Sequence, residues 1–343
     1  MQLGKVNVLI GNSFGSEAKG AVAAYLADKY CDVLGICISN NSMNAGHSFI
    51  DNDGETHVLK ILPVSGVVAK NSTIVLGSGA AFTLDRLFEE VNKFGVQDRL
   101  IISPTAVIID DACRKYEQEN LRYISSTMQG VGAAFAMKIL RSPDVKLAKD
   151  IPALENWVTK DIPEIIISTV NSGGTAMVEI PQGIGLSVDS EWFPYCTSRP
   201  INVGQAFAYM DVPVSLVGDV YGVSRTYPIR VGGVDNFTSG PVHEDSKEIS
   251  WEDMSKKLGK DVKEFTTVTK RVRRVFTFSK TGFERGVLRN GINICFLTFA
   301  DYLNDQELTS MIEYLNSNKF GFDEVYVTNG FGKCGEFVKQ VKG

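Results

Sequence analysis

The residues Gly11-Asn12-Ser13-Phe14-Gly15-Ser16-Glu17-Ala18-Lys19-Gly20 follow an apolar run over 6–10 and lead into helical spacing. Strand, glycine turn and helix start, in that order, aim backbone N–H groups and the positive end of a helix at one spot. Such a spot suits a phosphate. Gly15 and Gly20 keep the spacing of the two P-loop glycines, but Ala21 stands where lysine should follow, and Lys19 precedes the second glycine instead. A turn of this kind is as often a connection as a cradle; its place after the first strand favours the cradle. Further on, Asn44-Ala45-Gly46-His47-Ser48 sets an imidazole among small and polar residues. A lone histidine is usually structural, yet here it can donate a hydrogen bond or a proton to a ligand oxygen. A cradle with a nearby proton donor points to phosphoryl chemistry.

Three other segments could hold small ligands. Residues 266–274 pack Lys270, Arg271, Arg273 and Arg274 into five positions. A charge run is usually a solvated face; the interleaved threonines favour a small-anion loop, because guanidinium forks hold carboxylates bidentately. Gln129-Gly130-Val131-Gly132 and Pro181-Gln182-Gly183-Ile184-Gly185 are small-residue loops carrying an amide. Each is either a plain connection or, since an amide both donates and accepts, a reader of a base edge.

These loops need a scaffold. Short apolar or β-branched runs lie at 6–10, 33–38, 73–76, 100–102, 164–168, 177–180, 215–217, 292–297 and 324–327. Helical patterns fall between them, notably at 17–29, 83–93, 110–120 and 306–316. The alternation predicts an α/β fold with a largely parallel central sheet and flanking helices. Ligands of such sheets sit beyond the carboxyl ends of the strands, where the first glycine turn should lie. Residues 239–263, rich in charge and turn formers, read as a surface excursion. No repeat, low-complexity tract or linker divides the chain, so 1–343 reads as a single domain.

The net charge of −5, with 22% charged and 44% apolar residues, is that of a soluble, folded protein. Mild acidity argues against a nucleic-acid partner. No apolar stretch is long enough to span a membrane and the N-terminus lacks a signal-peptide pattern. Cys31, Cys37, Cys113, Cys196, Cys295 and Cys334 form no C-x-x-C pair, and several lie in apolar runs. Free thiols fit this better than disulfides or a zinc site. With only His47, His57 and His243, a histidine-rich metal centre is disfavoured. A reducing cytoplasm is the expected compartment.

Taken in order along nearly the whole chain, these segments resemble the adenylosuccinate synthetase family. The family's G-T-Q-W-G-D-E-G-K-G corresponds to 11–20, and its H-N-A-G-H-T to Met43-Asn44-Ala45-Gly46-His47-Ser48. Its E-G-A-Q-G appears as Glu179-Ile180-Pro181-Gln182-Gly183, followed at matching spacing by Pro194-Tyr195-Cys196-Thr197-Ser198. Its T-R-V-G matches Ile229-Arg230-Val231-Gly232, and its arginine-rich aspartate loop matches 268–274. The resemblance implies the P-loop-like fold of that family and a two-step ligase. A nucleoside triphosphate phosphorylates the purine O6, with Mg2+ spanning the phosphates; the aspartate amine then attacks C6 and expels phosphate.

Carried over residue by residue, the resemblance implies that His47 stabilises the transferring phosphoryl group and Lys19 neutralises the phosphates. Gly46 and the residue at position 16 would meet the magnesium ion. Further triphosphate contacts would come from Ser13, Phe14, Gly15, Glu17, Ala18, Gly20, Ser48, Arg273, Thr298, Asp301, Asn329 and Gly330. Asn44, Ser126, Thr127, Gln129, Gln182, Thr197 and Val231 would bind the purine nucleotide. Arg141 would reach the neighbouring subunit's nucleotide, which implies a homodimer. Val268, Thr269, Arg271 and Arg273 would grip the aspartate carboxylates.

Three departures refine the expectation. The family's catalytic aspartate is replaced by Ser16, a poor base and a weak magnesium ligand. A carboxylate beside N1 would crowd a purine with a 2-amino group, whereas serine is shorter and accepts a hydrogen bond from it. This resembles the phage members of the family that convert dGMP, L-aspartate and ATP into 2-amino-2′-deoxyadenylosuccinate for 2-aminoadenine DNA. Second, the guanine-reading T-K-L-D stands as Thr298-Phe299-Ala300-Asp301, which favours ATP or dATP over GTP. Third, Gln129 replaces an arginine. Two rival readings stay open: an ordinary synthetase acting on IMP with GTP, and a non-catalytic nucleotide-binding protein. The group that takes the N1 proton is not identified by the motifs.

Overall fold

The computed structural model describes residues 1–266, 270–329 and 338–342. Nine strands form the central sheet. Numbered along the chain they are β1 (Val6–Gly11), β2 (Leu34–Ser39), β3 (Thr73–Leu76), β4 (Leu100–Ile102), β5 (Thr175–Glu179), β6 (Val217–Arg225), β7 (Ile294–Thr298), β8 (Glu324–Thr328) and β9 (Val338–Lys342). Their spatial order is β9-β8-β7-β6-β1-β5-β2-β3-β4. All neighbours are parallel except β8 and β9 at one edge. Strands β2 to β5 lie on one side of β1 and β6 to β9 on the other, so a crevice opens beyond its carboxyl end. Successive side chains of β1 enter two different cores: Val6, Val8 and Ile10 one, Leu9 the other. Burial on both faces explains why these strands read as unbroken apolar runs.

Helix α1 (Lys19–Lys29) starts directly after the loop that follows β1. Its small residues admit a close neighbour. A Cβ on Gly20 would lie 2.4 Å from the Ser48 carbonyl oxygen, so glycine is what lets a short hairpin rest on α1. That hairpin pairs His47–Ile50 with Thr56–Leu59 and carries His47 at its start. The sheet, α1 and the hairpin therefore converge at one end of β1.

The structure corrects three expectations. Residues 164–168 lie within a helix, Ile162–Asn171, not a strand. Ile162, Ile166 and Val170 are its buried positions, a helical period that overrides the β-branched composition, and proline sits in its first turn. Residues 215–217 fall mostly in a short 3-10 turn; the strand begins at Val217 and runs to Arg225. The stretch 239–263 is not only a surface excursion. It contains strand Glu248–Ile249 and helix Trp251–Leu258, whose Trp251 and Met254 are buried against Val275, Phe299 and Tyr302. Among the described residues no helix is long and apolar enough to cross a membrane.

Candidate functional site

A cavity of about 470 Å3 opens beyond the carboxyl ends of β1 and β5. The loop from Phe14 to Gly20 lines it, facing Asn44, Gly46, His47 and Ser48 from the hairpin side. Ser126, Thr127, Gln182, Thr197, Val231 and Arg273 complete the set of expected residues brought together there. The remaining expectations fall elsewhere. Ser13, Gln129, Thr298, Asp301 and Asn329 do not line this cavity, nor do Arg141 and Arg271. Val268, Thr269 and Gly330 lie outside the described residues.

The loop has an unusual backbone. Gly15 has φ +81, and the non-glycine residues Ser16 and Ala18 have φ of 54 and 60. Left-handed conformations are unfavourable for side chains of this kind and need outside support. Arg225, at the end of β6, provides it at Ser16: its Nη1 donates to the Ser16 carbonyl at 3.0 Å. Arg225 is itself fully buried, with its guanidinium 3.7 Å from the centre of the Phe299 ring. Glu264 accepts from both its terminal nitrogens, while Tyr302 donates to the same carboxylate. Burial pushes the Glu264 carboxyl up, but the Arg225 charge and hydrogen bonds prevail and its pKa lies below the ordinary range. At the next position Thr298 donates to the Glu17 carbonyl at 3.1 Å, which makes Thr298 a support of the loop. The Ser16 side chain is exposed to the cavity.

Beneath the loop, Glu17 and Lys19 are both buried and 3.4 Å apart. Lys19 also donates to the Gln182 carbonyl. Burial raises the Glu17 carboxyl and lowers the Lys19 ammonium, each opposed by the other's charge. The ammonium thus ties the glycine loop to the glutamine expected to read the purine. α1 begins at Lys19 with no side-chain cap, so its first amides and the loop face the cavity together.

His47 is clamped from behind. Its Nδ1 lies 3.2 Å from Glu179 Oε2, while Glu179 Oε1 accepts from the Ser65 amide and hydroxyl, both at 2.7 Å. The acceptor fixes the Nδ1 proton and leaves Nε2, which is buried and has no partner among the described residues, available to a ligand. In the sequence Glu179 stands within a motif that assigns it no task; its signal is its place at the end of a strand facing a loop histidine. Arg225 and Glu264 were missed because 39 residues separate them and neither has a local pattern.

On the opposite wall, Glu117 accepts from the Gly130 and Gly132 amides at 2.8 and 2.6 Å and fixes the Thr127 loop against helix Val131–Ile139. Gln129 donates to the Thr127 carbonyl at 3.0 Å, so its amide braces this loop. Arg271 donates to the carbonyls of Ser125, Ser126 and Gly232, at 3.2, 2.8 and 3.1 Å, and so ties two walls together behind the cavity. Arg273 does line the cavity, near Glu264 at 3.7 Å. Arg230 stacks on Phe14 at 4.4 Å and donates to the Tyr195 carbonyl at 2.6 Å. Asp301 is exposed and 4.0 Å from Lys260. Arg141 is exposed, next to the exposed Ile139 and Leu140.

The arrangement can hold phosphates with backbone amides and one ammonium, and present a fixed imidazole to them. Comparisons with known proteins point the same way. The chain is 33% identical over 345 residues to N6-succino-2-amino-2′-deoxyadenylate synthase of Vibrio phage phiVC8, covering 95% of each chain. It is 31% identical over 302 residues to adenylosuccinate synthetase of Methanosphaera stadtmanae, covering 86% of this chain and 83% of the other. Its structure matches cyanophage S-2L succinoaminodeoxyadenylate synthetase (PurZ), bound to dGMP and dATP as an energy donor. The TM-score is 0.86 at 30% identity, with 99% of this chain and 96% of that one covered. The family model for adenylosuccinate synthetase matches residues 8–151 and 145–343. With its glycine loop, clamped histidine and sheet topology in these positions, the chain belongs to the adenylosuccinate synthetase family.

Proposed function

We propose that this protein is a carbon–nitrogen ligase that joins L-aspartate to C6 of dGMP, driven by ATP or dATP, giving 2-amino-2′-deoxyadenylosuccinate. The observation that carries this reading is Ser16. A short, neutral, exposed side chain stands where the family has a carboxylate, while the phosphoryl apparatus around it is intact. A 2-amino group fits beside a hydroxyl that can accept from it. The likeness to the phage enzymes, one of them bound to dGMP and dATP, supports the same substrate.

In the first step the bond from the γ-phosphorus to the bridging oxygen breaks, a bond from O6 to phosphorus forms, and N1 gives up its proton. ADP or dADP leaves. In the second, the aspartate nitrogen bonds to C6, the C6–O bond breaks, and phosphate departs. The His47 ring is held on line by Glu179, and with a proton on each ring nitrogen its Nε2–H donates toward the transferring group. Lys19 moves its charge from Glu17 to the phosphates. Thr127, Asn44 and Thr197 hold the monophosphate, Gln182 meets the purine, and Arg273 meets a carboxylate of aspartate.

The donor set suits Mg2+ as an ion held mainly by substrate phosphates, since Ser16 and Gly46 contribute only neutral oxygens. When bound, it neutralises developing phosphate charge. Arg141, with Ile139 and Leu140 exposed beside it, belongs on a surface where a second copy of the chain would supply its guanidinium to the neighbouring site. We read the chain as one domain. The free thiols among its described cysteines fit a reducing cytoplasm, that of a host for a phage protein.

The test is product identity. Incubation with dGMP, aspartate and ATP should yield, by mass spectrometry, a nucleotide heavier by the aspartate addition, with one ADP and one phosphate formed per product. Turnover of IMP without turnover of dGMP would contradict the assignment; ATP binding with no product from either would favour a binding protein.

A further inference from the structure

Arg199 is buried, at 3% exposure, yet among the described residues it has no carboxylate partner. Its Nη1 donates to the Gly79 carbonyl and its Nη2 to Ser42 Oγ at 3.0 Å. The guanidinium also contacts the Tyr209 hydroxyl and stacks on Phe135 at 5.5 Å. Its Nε has no hydrogen-bond partner among the described residues. A buried cation held only by neutral groups is unfavourable unless an anion shares its surroundings at some stage of the working cycle.

The hydrogen bonds leading away from Arg199 run in one direction. Arg199 donates to Ser42 Oγ, and the Ser42 hydroxyl donates to Asn44 Oδ1 at 2.8 Å. Asn44 Nδ2 then faces Thr197 Oγ1 at 3.4 Å. Because Thr197 accepts in this chain, its own hydroxyl proton is left to point elsewhere, and Thr197 lines the cavity. A charge at one end of such a relay polarises each donor outward, which strengthens the last one.

We propose that Arg199 is the buried counter-charge of the nucleotide monophosphate, a positioning residue that acts through Ser42, Asn44 and Thr197. The inference rests on the reading above that Asn44 and Thr197 hold that phosphate. Arg199 itself stays out of the cavity, so within one subunit the phosphate meets hydroxyl and amide donors while a charge sits one layer behind. Such an arrangement favours an anion at this corner over a neutral ligand of the same shape.

Affinities for dGMP and for deoxyguanosine, measured by calorimetry on the full chain, separate this role from a purely structural one. Arg199→Met should weaken dGMP binding about tenfold or more, and leave deoxyguanosine binding within twofold. Ser42→Ala interrupts the relay without removing the buried arginine; it should weaken dGMP about three- to fivefold with the same selectivity, and it carries the test if Arg199→Met fails to fold. Equal losses for dGMP and deoxyguanosine, or no loss in Ser42→Ala, would overturn the proposal. Thr197→Val reports on the underlying reading. If it weakens dGMP while both other variants bind normally, Arg199 alone loses its role; if it too is neutral, the phosphate does not sit at this corner.

Discussion

His47 and Ser16 face the same cavity from two loops and are held in opposite ways. His47 is buried, and a strand-end carboxylate fixes its ring, which is in turn held by Ser65. Ser16 is exposed, and what the protein grips is its backbone: a carbonyl accepting from Arg225 and a left-handed φ of 54. The difference teaches where a site can change. A group that must meet developing charge in one orientation needs buried partners, so its identity is bound to theirs. At position 16 the loop's shape depends on Arg225 and Glu264, so the side chain can be exchanged for a new substrate while the cradle stays in place.

Variants at the two positions should therefore behave differently. His47→Ala should lower kcat about 10³-fold with little change in the KM for dGMP, as read from aspartate-dependent phosphate release. Ser16→Ala should lower kcat about tenfold or less; a loss equal to that of His47→Ala would break the contrast. Glu264→Gln removes the counter-charge of a fully buried arginine and should lower unfolding stability by about 3 kcal/mol in a denaturant titration. A change under about 0.5 kcal/mol would mean that the Ser16 loop does not depend on this pair. Glu179→Gln leaves an acceptor for Ser65 but weakens the hold on His47, and should lower kcat about 30-fold while the melting temperature shifts little.

The smallest expected effect concerns acid. The Glu264 carboxyl has a folded-state pKa below its ordinary value, so its contribution to stability is complete above the ordinary range. It is lost as pH falls through the folded value, because the unfolded chain takes the proton first. Unfolding midpoints should therefore drop on acidification below the ordinary glutamate range, and that portion of the drop should be missing in Glu264→Gln.

Much of this was legible in the sequence where local rules decide. The strands at 73–76 and 100–102 and the helix starting near Asp110 follow from β-branched runs and an N-cap, and Asp110 does accept from the Cys113 amide. Residues 164–168 misled because the isoleucines satisfy strand composition while their burial follows a helical period. The glycine loop, His47, Thr127 and Thr197 are readable as motif residues, and they do share a cavity. Arg271 reads as a ligand contact, and its charge gives no hint that it also donates to the backbone carbonyls of Ser125, Ser126 and Gly232. Arg199, Arg225 and Glu264 act through partners far along the chain, which no spacing rule records.

The most direct test of the central claim is the ratio of kcat/KM for dGMP to that for IMP, measured by aspartate-dependent phosphate release in the unsubstituted protein and in Ser16→Asp. The unsubstituted protein should favour dGMP by about 10²-fold or more, and Ser16→Asp should move the ratio toward IMP by a similar factor. A preference for IMP in the unsubstituted protein, or a ratio unmoved by Ser16→Asp, would contradict the account.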